Sequence, residues 1–130
     1  PLVDGSDRAD NFADSGGVVF YSSPSGKRPV LTWLAEQPAD VRAAFAHLFD
    51  LLESNGTDMG EPHVKPLGKK LYELRVNGRD GTYRTLYFAA RNRRFVMVHG
   101  FQKKTQKTPK QELEKALKRM TDFLATDSTT

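Results

Sequence analysis

The run Phe101-Gln102-Lys103-Lys104-Thr105-Gln106-Lys107-Thr108 carries three lysines, two threonines, two glutamines and no acid, and leads straight into a helix start at Thr108-Pro109. Ammonium and hydroxyl donors beside the free N–H groups of a helix N-terminus are the chemistry of a phosphate site. A solvated basic loop is the alternative reading of the run taken alone. Upstream, alternation along Leu71–Val76 puts Leu71, Glu73 and Arg75 on one face and Tyr72, Leu74 and Val76 on the other. Arg84 stands in mid-strand between Tyr83 and Thr85, and His99 closes a further strand beside Gly100 and Phe101. A charged pair at i, i+2 fits either the solvent face of an antiparallel sheet or a face turned into an active surface. A lone His at a strand end is more often structural than catalytic. Three polar side chains on successive paired strands favour the active surface. Lys65, Lys69 and Lys70 precede the first of these strands and extend the basic track.

Other chemistries are excluded. There is no cysteine, hence no disulfide, thiolate metal site or Cys nucleophile, which fits a reducing compartment. No carboxylate cluster or His pair stands at ligand spacing, so neither metal nor cofactor is expected. No apolar run approaches the roughly 20 residues of a bilayer span, and the N-terminus lacks a signal pattern, so the expected location is cytoplasmic, away from membranes. The net charge of +4 is unevenly spread. Residues 1–62 hold 4 Lys and Arg against 10 Asp and Glu, and residues 63–130 hold 16 against 6. A half-molecule so charged attracts polyanions through release of phosphate counterions.

At 130 residues the chain suits one domain. Residues 1–16, acidic and rich in Gly, Ser and Asp, read as a flexible extension, and residues 126–130 as a frayed tail. A short strand is expected at Val18–Tyr21, then a helix from Pro29 to Glu36 with Pro at its first position. A second helix follows from Ala39 to Ser54, stopped by Asn55-Gly56 and forming an αα-hairpin with the first. Strands at Leu71–Val76, Thr82–Phe88 and Phe95–Phe101, separated by short turn-rich breaks, should pair as an antiparallel meander. Thr108-Pro109-Lys110-Gln111 reads as a capping box, and Leu113, Ala116, Leu117, Met120 and Leu124 give the last helix its apolar stripe. The fold class is therefore α+β, with the order β-α-α-β-β-β-α.

The stretches Pro29–Leu34, Leu71–Arg75, Tyr83–Phe88 and His99–Pro109 stand in an order and spacing that resembles the RelE/HigB-type toxins of bacterial type II toxin–antitoxin pairs and their phage-derived relatives. The resemblance covers about residues 17–124, within a domain of 17–125. It implies a compact antiparallel sheet flanked by helices, metal-independent endoribonuclease cleavage of messenger RNA on the ribosome, and a helix-turn-helix, HigA-like antitoxin as partner. It assigns Arg84 to the scissile phosphate, Lys103 or Lys104 to a second cationic group, and His99 to the region of an acid/base residue. Glu73 falls where the best-known members carry lysine, a departure that leaves Glu73 and His99 as alternative proton-transfer groups. Lys69, Lys70, Arg75, Lys104, Thr105 and Lys107 are the expected RNA contacts. Two rivals stand beside this reading: a ParE-like toxin of the same fold that targets gyrase, and a non-catalytic nucleic-acid binder using Tyr87, Phe95 and Phe101 as stacking rings.

Overall fold

The computed structural model describes residues 12–103 and 108–127. In chain order the elements are β1 (Val18–Phe20), α1 (Pro29–Ala35), α2 (Ala39–Asn55), β2 (Val64–Gly68), β3 (Leu71–Gly78), β4 (Gly81–Ala90), β5 (Arg94–Lys103) and α3 (Lys110–Thr126). The strands form one sheet in the order β1-β5-β4-β3-β2. β1 runs parallel to β5 and every other pairing is antiparallel. The α+β class and the meander agree with the sequence reading; β2 is an addition to it. Pro66 lies inside β2 and obscures the strand in the sequence, because proline cannot donate to a ladder. β2 tolerates it as an edge strand, bonded on one side to β3.

Helices cover both faces of the sheet. On one, Val30 and Leu34 of α1 and Val41, Phe45, Leu48 and Leu52 of α2 bury against Phe20, Leu74, Tyr83 and Met97. The expected hairpin is organised by this sheet surface, with α1 packed along β5 and α2 against β3 and β1. On the other face, Leu71, Leu86, Phe88, Val96, Val98 and Phe101 meet Ala116 of α3, flanked by Leu113, Leu117, Met120 and Phe123. Leu124, expected on that stripe, is 53% exposed. Phe123 takes the inner position instead and meets Phe88 edge-on with centroids 5.6 Å apart.

One irregularity decides which side chains share the second face. Leu86 pairs with His99 and Tyr87 pairs with Met97, so Val98 is an extra residue in β5. Such a bulge reverses the side-chain parity of everything beyond it. Without it His99, Phe101 and Lys103 would fall on the α1–α2 face; with it they join Leu86 and Arg84 beneath α3. Gly100 is left facing α1, where a Cβ would run into the Trp33 ring.

Part of the segment assigned to the N-terminal extension contacts the body. Phe12 meets Phe20 and Phe49 edge-on, and the Asp14 carboxylate accepts from the Phe20 N–H and from Arg28. At the other end, Asp127 pairs with Arg94 at 2.8 Å. Among the described residues no helix is long and apolar enough to cross a membrane.

Candidate phosphate-binding site

Strand register brings the singled-out side chains together. Arg84 lies opposite Arg75 on β3 and Phe101 on β5; Leu86, two residues on, lies opposite Glu73 and His99; Thr82 lies opposite Lys103. All project from the α3 face. Lys65 of β2 sits opposite Glu73 and adds a further cation.

Glu73 is the hub. It is fully buried, a position a carboxylate holds only when its oxygens are bonded. Oε1 accepts from Arg84 Nη1 at 2.6 Å, Oε2 accepts from the Thr108 hydroxyl at 2.9 Å, and Arg75 Nε stands 3.9 Å from Oε1. Arg84 is itself 4% exposed, and its buried Nε–H has no hydrogen-bond partner among the described residues. Lys103 is buried beside it. Its pKa is pushed down to about 8, chiefly by burial and then by the Arg84 guanidinium; Glu73 opposes the shift, and Lys65 and Arg75 add to it. Four cations thus act around one carboxylate, a field that favours an incoming anion.

His99 is placed differently. Arg119 Nη1 can only donate, so at 3.0 Å from Nδ1 it fixes that nitrogen as an acceptor. The proton therefore resides on Nε2, which donates to Glu112 Oε1 at 2.5 Å. Burial pulls the His99 pKa down most strongly, the Glu112 hydrogen bond pulls it back up, and Arg119 lowers it again. The ring is accordingly neutral at pH 7, stacked on Phe101, with both nitrogens bonded to α3.

The structure thus gathers Glu73, Arg75, Arg84 and Lys103, leaves His99 on the same face but bonded to α3, and sets Lys69 and Lys70 apart, in the β2–β3 turn at the opposite end of the sheet from the Thr82–Lys103 pair. Lys104, Thr105 and Lys107 lie outside the described residues. The capping box is corrected: Pro109 occupies the cap position without a side-chain bond, because the Thr108 hydroxyl is spent on Glu73. Glu112 and Arg119 are the site residues that the sequence reading missed; Lys65 and Thr108 stood in its basic track and its lysine-rich run without a role of their own. Glu112 and Arg119 had a signal, since with Ala116 they fall at i, i+4 and i+7 on the inward stripe of α3. Tyr87, Phe95 and Phe101, the rings considered for base stacking, are all buried. Among the described residues no three His, Asp or Glu side chains group as a metal site.

Comparison with known proteins adds a family. No curated protein matches the chain. The model of the phage-derived Gp49-like family (DUF891) matches residues 32–121, from within α1 to the later turns of α3. That span is more than half of the chain and contains every side chain of the cluster around Glu73 and His99. The chain therefore belongs to the phage-derived Gp49-like protein family.

Proposed function

We propose that the protein is the toxin of a toxin–antitoxin pair and that it cuts messenger RNA on the ribosome without a metal ion, inhibiting translation. Its family is phage-derived and consistent with a toxin of such a pair. The observation that carries the reading is the cluster of Arg84, Lys103, Arg75 and Lys65 around Glu73, with a guanidinium N–H at its centre that no described residue engages.

The reaction is attack by an RNA 2′-OH on the adjacent phosphorus. The O2′–P bond forms, the P–O5′ bond breaks, a base takes the 2′ proton and an acid protonates the 5′ oxygen, leaving a 2′,3′-cyclic phosphate and a 5′-OH. Arg84 stabilises the charge that develops on the phosphorane. The Glu73 carboxylate is the base. Lys103, read as an electrostatic group in the sequence, becomes the acid, because an ammonium with a pKa near 8 gives up its proton near the operating pH. His99, bonded through both nitrogens, positions α3 over the site. Arg84 and Lys103 are covered in this state, so a phosphate must open the site before it binds.

A specific observation favours the ParE-like or non-catalytic alternative: the Glu73–Arg84 ion pair is complete and buried, as a purely structural pair would be. Purified protein incubated with translating ribosomes and mRNA in EDTA separates the two. Fragments ending in cyclic phosphate are the expected result; intact mRNA with arrested growth on induction would leave the fold and remove the nuclease.

A further inference from the structure

The end of the sheet remote from Lys103 is built against local preference. Lys69 and Lys70, at φ 54° and 72°, form the connection between β2 and β3, and Asn92 and Arg93, at φ 63° and 58°, lie in the connection between β4 and β5. Two successive left-handed residues are the demand of a tight hairpin turn, for which Asn-Gly and Gly-Gly are the favoured pairs. Here the first turn has Lys-Lys, and the three-residue second connection has a favoured Asn92 followed by Arg93, so the cations held against preference are Lys69, Lys70 and Arg93. The two turns are neighbours: Tyr72, just after the first, pairs with Tyr87, and Ala90 and Arg94 pair across the second. Lys69, Lys70, Arg91 and Arg93 are all exposed there, and among the described residues no ion pair engages any of them.

We propose that these two turns form a second nucleic-acid surface, separate from the cluster around Glu73, that grips the phosphate backbone of double-helical RNA. Backbone strain retained at cationic residues points to a use for the charge, since glycine or asparagine would relieve it. Neither turn carries an aromatic ring, and Tyr72, just beyond the first, is stacked on Tyr87 on the α1–α2 side of the sheet, so binding at the turns falls to phosphates. The choice of RNA rests on the function proposed above; the existence of a polyanion surface does not.

The test is equilibrium binding of a 2′-O-methylated RNA duplex, which cannot be cleaved, across a salt series. Three variants are compared with the parent: Lys69→Asn/Lys70→Gly, Arg91→Gln/Arg93→Gly, and a charge-matched control on the exposed face of α3, Lys115→Gln/Lys118→Gln. Every phosphate that a variant no longer neutralises lowers the slope of log K against log salt by roughly 0.7–0.9. Each turn variant should therefore flatten the slope by about 1–2, the control by less, and the thermal midpoint of Lys69→Asn/Lys70→Gly should hold or rise. Slopes unchanged, or changed no more than in the control, would overturn the surface. A fallen midpoint would overturn the claim that the lysines stand there for their charge, and tighter binding of the matching DNA duplex would overturn the assignment to RNA. If the turn variants lose duplex binding in a chain that never cuts RNA, the surface stands and the nuclease reading fails; if they bind normally while Arg84→Lys abolishes cleavage, the reverse holds.

Discussion

Removing the Arg84 guanidinium leaves the Glu73 carboxylate buried, with Thr108 and the more distant Arg75 as its partners. Stranding one member of a buried pair typically costs about 3–5 kcal/mol, whereas neutralising both leaves no stranded charge. Arg84→Ala should therefore lower the urea midpoint sharply, and Glu73→Gln/Arg84→Gln should restore most of it. Titration sharpens the assignment of Lys103. The folded chain holds this lysine near 8, below its ordinary 10.5. Between those values the unfolded chain binds the extra proton, so stability should rise as pH climbs from 8 to 10.5. Lys103→Met should abolish that rise in thermal midpoints measured across the window. His99 has its pKa lowered from 6.5, which makes the unfolded chain the first to take a proton as pH falls. Stability should drop below pH 6.5, where an imidazolium would face Arg119, and His99→Gln should flatten the drop. None of these partnerships could be read from the sequence. Residue types and strand alternation there put Glu73 and Arg75 on a shared face, but pairing distances and burial depend on α3 folding back across the sheet.

At the scale of elements, the bulge at Val98 sets the geometry of the site. It was invisible in the sequence because Phe95–Phe101 reads as a plain apolar strand, and a one-residue register shift leaves no compositional trace. Deleting Val98 should close the bulge with Leu86 still opposite His99, so His99, Phe101 and Lys103 keep the α3 face and a chain that still folds should keep its RNA affinity in an equilibrium binding assay. Gly100 has a matching constraint. A methyl group there meets the Trp33 ring, so Gly100→Ala should destabilise by roughly 1–3 kcal/mol, as overpacking generally does; a denaturation curve checks it, and an unchanged midpoint would contradict the packing described. The two helices before the meander and the helix after it were legible from their apolar spacing. The cap of α3 was not, since a threonine three residues before a glutamine looks the same whether its hydroxyl serves the helix or a distant carboxylate.

For the molecule as a whole, the charge asymmetry between residues 1–62 and 63–130 becomes spatial. The sheet places part of the positive half at two separate ends: Lys65, Arg75, Arg84 and Lys103 cluster beneath α3, and Lys69, Lys70, Arg91 and Arg93 lie in a pair of turns opposite. That separation was hidden in the sequence, where Lys69 and Lys70 stand close to Glu73 along the chain and read as part of the same track. The most direct measurement of the central claim is single-turnover cleavage of ribosome-bound mRNA in EDTA by the parent and by Glu73→Gln/Arg84→Gln, the variant expected to keep the fold. With both the base and the phosphate-holding cation neutralised, the expected rate falls by at least about 10²–10⁴-fold, the usual contribution of one positioned acid–base group. Cleavage by the folded variant at the parent rate would contradict the claim that this cluster carries the chemistry.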